Sequence, residues 1–217
     1  DKYNKEPLGL LLLSFILGML STIPAIILQI IFTKPVERLM GEGIPYTLVF
    51  AYLIVALSEE GSKFLFVRLA PYRRRFFDDP FDGIVYAVMV SMGVATLENI
   101  GYVYQHGVAT GIMRMFLSVP AHATFGVLMG YHMGLAKFDS ANRKKFMFLA
   151  IFWPVVFHGT FDFFLFLGSN WLHFAGALIS FIVAVRLSLK LIKQKQSLSQ
   201  SHFINIDNNI NGSKDFL

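Results

Sequence analysis

Residues 8–32 read LGLLLLSFILGMLSTIPAIILQIIF, a run without one charged side chain. A helix rises about 1.5 Å per residue, so about 20 such residues cross the hydrocarbon core of a bilayer. The run is too long and too lightly flanked for a cleaved signal peptide, and it is expected to stay as a membrane span. Asp1 stands where an initiator Met would, which points to a processed form. Working outward, the same reading finds six spans: Leu8–Phe32, Tyr46–Ala70, Phe81–Gln105, Gly111–Lys137, Phe146–Gly168 and Trp171–Lys193. The fold class is therefore all-α, a polytopic membrane bundle over residues 1–193. A polar tail, residues 194–217, is rich in Ser, Asn and Gln and is expected to be disordered. Composition agrees: 55% of residues are hydrophobic and 15% charged, with mean hydropathy +0.56. Soluble domains carry about 25% charged residues. A nucleic-acid-binding role is excluded despite the pI of 9.4. The chain has no Cys, which removes disulfides, a thiol nucleophile and thiolate metal ligands.

Basic residues set the expected orientation. Lys2 and Lys5 precede the first span, Arg73–Arg75 follow the second, Arg143–Lys145 follow the fourth, and Lys190, Lys193 and Lys195 close the sixth. These clusters all fall on one face, so the positive-inside rule places both termini in the cytoplasm. The lone Arg68 and Arg114 are expected to snorkel to the interfaces, and Tyr102, Tyr104 and Trp171 to form an outer aromatic belt. No internal repeat is present, which argues against an inverted-repeat transporter.

Several spans nevertheless carry ionisable groups: Glu59, Glu60 and Lys63 in SEEGSK, Glu98 in ATLENIGY, His122 in SVPAHATFG, and His158 with Asp162 in HGTFDF. An isolated charge at the bilayer centre costs roughly 2.5–3.5 kcal/mol on insertion scales, so four acids would cost on the order of 10 kcal/mol. They must share one polar interior. Counting helical rise from the span ends puts them between the midplane and the outer half, whereas His132 falls near the cytoplasmic boundary. His158 and Asp162 are four residues apart and share a helix face, as do Glu59 and Lys63; Glu60 is turned about 100° away. One Glu can therefore pair with Lys63 while the other faces a cavity.

Taken singly, each group has a plain structural reading: a bundle-holding salt bridge, a hydrogen-bonded His–Asp pair, an interior histidine. None of these explains two His and several carboxylates at one depth in four spans. Metal-assisted hydrolysis does. A zinc site needs about three His or carboxylate ligands, an open position, and a nearby Glu as general base. The H-E-x-x-H signature is absent, so the ligands must come from separate helices.

These blocks resemble the PrsW family of intramembrane proteases, which is related to the type II CAAX prenyl endopeptidases and the bacterial Abi group. The matching pieces are Glu59-Glu60-Gly-Ser-Lys63, FDGIVYAVMVSMGVATLENIGY (81–102), VPAHATFGVLMGYHMG (119–134) and HGTFDF (158–163). The resemblance implies a membrane-embedded endopeptidase acting on a membrane-anchored protein, such as an anti-sigma factor, in a bacterial plasma membrane. It places Glu59, Glu60, Glu98, His122 and His158 in the active site, with Asp162 where relatives carry Asn or Asp.

Combining residues and resemblance, Glu98, His122 and His158 are expected to hold zinc, and Glu59 or Glu60 to act as general base. Lys63, Asn99 and Asp162 are expected to support them. Three rivals remain: a metal-free glutamate peptidase, a scaffold without turnover, and an ion-coupled transporter.

Overall fold

In the computed structural model, which describes residues 5–168 and 170–212, with side chains to Gln196, the chain is helical nearly throughout. No strand occurs among the described residues. The first helix, α1 (Leu8–Met40), passes the expected end at Phe32 and absorbs both Pro24 and Pro35. The second pass is one continuous helical path in three parts: α2 (Ile44–Val49), a π-helical stretch (Phe50–Ala56) and α3 (Leu57–Leu69). A π stretch widens the turn and resets the helical phase, here just ahead of SEEGSK. Tyr52 pins it to the neighbouring helix through a 2.6 Å hydrogen bond between its hydroxyl and Thr160 Oγ1.

Helix α4 (Asp82–His106) matches the third expected span. The fourth, Gly111–Lys137, was expected as one helix and is two. Helix α5 (Val108–Phe116) and α6 (Ser118–Phe138) meet at a break at Leu117. Pro120 has no amide hydrogen to bond the Phe116 carbonyl, which favours an interruption there, whereas α1 carries Pro24 and Pro35 and α7 carries Pro154 without one. Helix α7 (Arg143–Phe166) follows the fifth expected span, and α8 (Trp171–Gly212) covers the sixth and continues as helix past its expected end at Lys193, into the stretch expected to be a disordered tail. Most of the polar tail lies outside the residues whose side chains are described. Among the described residues, five helical stretches, α5 and α6 taken together, are long and apolar enough to cross a membrane, and the path Ile44–Leu69 makes a further pass beside them. The protein is a multi-pass integral membrane protein.

Small residues bring the passes together. A Cβ on Gly130 or Gly134 of α6 would collide with the carbonyls of Gly83 and Pro80 on and before α4. Gly18 of α1 rests on the Val90 carbonyl of α4, and Gly93 of α4 on the Phe15 carbonyl of α1. Lipid tails are as apolar as Leu, so such backbone approach is a main source of helix association in a bilayer. Outward faces are correspondingly greasy, with Ile16, Ile30, Phe148 and Ile179 exposed.

The basic end of the bundle is tied by Lys137 Nζ, which donates to the Tyr72 carbonyl at 2.8 Å. At this end Asp82 Oδ2 accepts from the Asp78 and Asp79 amides at 2.9 and 2.7 Å. Glu6, just before α1, accepts the Tyr86 hydroxyl. Burial, then the neighbouring Asp82 carboxyl, pushes Glu6 up from 4.5 to about 8.

Candidate active site

Helix α3 delivers both glutamates, and the phase set ahead of it gives them different surroundings. Glu60 is fully buried: its Oε1 accepts from Lys63 Nζ at 2.7 Å and from His158 Nδ1 at 2.8 Å. Glu59 instead borders a cavity of about 1100 Å³. Its Oε1 accepts from Gln29 Nε2 of α1 at 3.3 Å, while its buried Oε2 has no hydrogen-bond partner. The spacing therefore resolves as one Glu locked behind and one facing the cavity.

Lys63 is the hub behind the site. Its ammonium reaches Glu60, lies 2.9 Å from His122 Nδ1, and stands 3.9 Å from Glu59 Oε2. His122, on α6, turns Nε2 toward Glu98 Oε2 of α4 at 3.1 Å. His158, on α7, donates Nδ1–H to Glu60 and turns Nε2 toward Asp162. That Nε2 lies 3.2 Å from Asp162 Oδ2 and 3.8 Å from Glu59 Oε2. Phe125 stacks on the His158 ring at 4.9 Å and holds its plane. His132 bonds back to its own helix, Nδ1 to the Leu128 carbonyl at 2.8 Å, away from this cluster.

The structure thus brings Glu59, Glu60, Lys63, Glu98, His122, His158 and Asp162 into one connected group from four passes. Asn99 stands apart: its Oδ1 is buried without a partner and its amide nitrogen faces Gly111 of α5. Two residues that sequence reading did not place in the site belong to it. Gln29 is a lone polar side chain inside the opening apolar run, and that loneliness was its only signal. Arg114 does not snorkel as expected. Its Nη2 pairs with Glu98 Oε2 at 3.2 Å, and its guanidinium lies 3.7 Å from the centre of the Tyr102 ring. Tyr102 is accordingly a wall of the cavity rather than only a belt residue.

Donor atoms of Glu59, His122 and His158 all lie within 4.8 Å of one another. Imidazole and carboxylate oxygen suit a borderline divalent cation such as zinc. Carboxylate and imidazole donors gathered this closely, with Glu98 Oε2 beside them at 3.1 Å from His122 Nε2, fit a metal.

A helical bundle that encloses paired carboxylates and two imidazoles beside a large cavity is what an intramembrane hydrolase requires. The family model for PrsW family intramembrane metalloproteases matches residues 6–188. Protease PrsW of Geobacillus kaustophilus (strain HTA426) is 38% identical over 177 residues, 81% of this chain and 76% of the relative. Protease PrsW of Bacillus subtilis (strain 168) is 36% identical over 80% of this chain and 78% of its own. That of Clostridioides difficile (strain 630) is 31% identical over 93% of this chain and 84% of its own. No solved structure matches the chain. The chain belongs to the PrsW family and is an intramembrane protease.

Proposed function

We propose that this protease hydrolyses a peptide bond of a membrane-anchored protein with zinc, in a bacterial plasma membrane, with both termini and the basic loops in the cytoplasm. The observation that carries the catalytic reading is the contrast between the two glutamates. Each keeps one oxygen without a hydrogen-bond partner, but Glu59 lines the cavity, whereas Glu60 is fully buried behind it with Oε1 bonded to Lys63 and His158.

His122, His158 and Glu98 would hold the metal, with Glu60 orienting His158 from behind. What zinc supplies when bound is Lewis acidity at the scissile carbonyl. Glu59 takes a proton from the attacking water on Oε2 and delivers it to the leaving nitrogen, while Gln29 keeps Oε1 engaged. Lys63 holds the carboxylate pair together, and Asp162 steadies His158. The substrate class, an anti-sigma-factor-like anchored protein, follows the family resemblance.

One observation favours a second reading. The Lys63 ammonium already touches His122 Nδ1 and approaches Glu59 Oε2, a cation where a metal would draw its ligands. A metal-free glutamate peptidase would use Glu59 as base and the histidines as oxyanion donors.

The test pairs two measurements on purified Glu59→Gln and His158→Ala proteins: zinc content by mass spectrometry, and new protein N-termini in membranes of cells expressing each. Glu59→Gln is expected to lose cleavage and keep zinc; His158→Ala is expected to lose both. Zinc lost with Glu59→Gln would make Glu59 a ligand rather than the base. No zinc in the unaltered protein, with cleavage intact, would select the metal-free reading. A scaffold without turnover would give identical N-termini in all three.

A further inference from the structure

We infer that the substrate reaches Glu59 sideways, through a cleft between α1 and α4 open to lipid at residues 21–30 of α1 and 97–105 of α4. This deepens the proteolytic reading above and rests on it.

The cleft has a closed end and an open end. Toward the basic end the two helices touch backbone to backbone, Gly18 on Val90 and Gly93 on Phe15. Beyond that crossing they are bound to different neighbours. Helix α1 leans on α3 through Gln29, which donates to Ser58 Oγ and Glu59 Oε1, each at 3.3 Å. Helix α4 leans on α5 through the Glu98–Arg114 ion pair and the Arg114–Tyr102 stack. The gap left between them has rims that both wall the cavity and face outward: Ile26 is 51% exposed, Ile100 57% and Tyr104 92%.

Other flanks are held by side-chain contacts. The Tyr52–Thr160 bond closes the π stretch against α7, and Phe125 on His158 closes α6 against α7. Helix α8 packs outside α6, with Ser188 Oγ donating to the Thr124 carbonyl at 3.2 Å.

Chemistry names the occupant. A lipid tail would fill the apolar rims but offer nothing to the polar atoms further in. Arg114 lines the cavity and its Nε–H is buried with no acceptor. An unwound peptide segment brings a carbonyl at every residue, and one of these meets Arg114 while the next bond lies toward Glu59. At about 1100 Å³ the space also slightly exceeds the usual range of small-ligand sites, about 300 to 1,000 Å³. A segment of a membrane-anchored chain, entering from the bilayer, fits these demands.

Because the chain has no Cys, single thiols at Ile26→Cys, Ile100→Cys and Ile179→Cys can be labelled with a bulky maleimide. Ile179 is a lipid-facing control on α8, 62% exposed. The probe substrate is the membrane protein whose cleavage disappears with Glu59→Gln. Labelling positions 26 or 100 is expected to lower its cleavage about tenfold against the same unlabelled variant, as when entry limits turnover. Zinc content should hold, and labelling position 179 should change nothing. Cleavage unaffected by adducts at both rims would overturn the inference. So that adduct damage cannot mimic blockage, a benzophenone amino acid at position 104 is photolysed in the Glu59→Gln protein with the substrate present. Crosslinks to the substrate support the entrance, and crosslinks to phospholipid alone overturn it. If the unlabelled, unaltered protein cleaves no membrane protein, the proteolytic reading itself has failed, and that outcome is separate from the other two.

Discussion

Lys63→Met removes the ammonium at the centre of the site and leaves its partner behind. Glu60 and Lys63 are both fully buried and 2.7 Å apart. With an effective dielectric constant near 20, their attraction is about 6 kcal/mol. Desolvation costs several kcal/mol per ion, so the pair gains little net stability over an apolar replacement of the same volume. Removing one member alone is different, because the Glu60 charge then stays buried with only His158 to answer it. Such truncations cost about 3–5 kcal/mol. For a chain of this length that lowers the melting temperature by roughly 6–20 °C. The assay is thermal unfolding of detergent-purified protein, run on Lys63→Met and on the double variant Lys63→Met/Glu60→Met. The double variant should recover most of the loss, since both charges leave together, yet stay without cleavage because His158 has lost its Nδ1 acceptor. A single variant as stable as the unaltered protein, or a double variant no better than the single, would refute the reasoning.

Gly130→Val on α6 forces a side chain into the Gly83 carbonyl of α4. Overpacking of this kind costs about 1–3 kcal/mol, readable as a lower melting temperature. Gln29→Leu leaves the fold intact but frees Glu59 Oε1, so kcat should fall more than KM rises; equal loss in a distant lipid-facing variant such as Ile16→Ala would contradict that. Glu6 sets a pH dependence at the basic end. Folding raises it from 4.5 to about 8, so its stabilising contribution is complete below 4.5 and is lost as pH rises through about 8. The melting temperature should therefore be higher at pH 6 than at pH 9, and Glu6→Gln should flatten that difference.

The passes were legible because a bilayer imposes length and polarity on every crossing helix, and Leu8–Phe32 or Phe81–Gln105 could hardly be anything else. The clustering of Glu59, Glu98, His122 and His158 was legible for the complementary reason: charges are too costly in hydrocarbon to stand apart. What composition does not encode is phase. The π stretch at Phe50–Ala56 has no Pro or Gly to announce it, and it decides which glutamate meets the cavity. The break at Leu117 did carry a signal in Pro120, but span length outweighed it.

Arg114 shows the same limit from the other side. A lone Arg near a span end usually snorkels, and nothing in its neighbours argues otherwise. Its true partner, Glu98, lies sixteen residues back on another helix. The break at Leu117 turns α5 into a separate short helix, and only that turn lets Arg114 reach inward over Tyr102. One missing amide hydrogen at Pro120 thus does three things in sequence. It ends α5 at Phe116, frees Arg114 to pair with Glu98, and through Glu98 fixes the carboxylate that faces His122 Nε2. If that chain of cause holds, Pro120→Ala should let α5 and α6 join, draw Arg114 off Glu98, and weaken retention of the proposed zinc. Zinc retention equal to that of the unaltered protein would break the link between the helix interruption and the site.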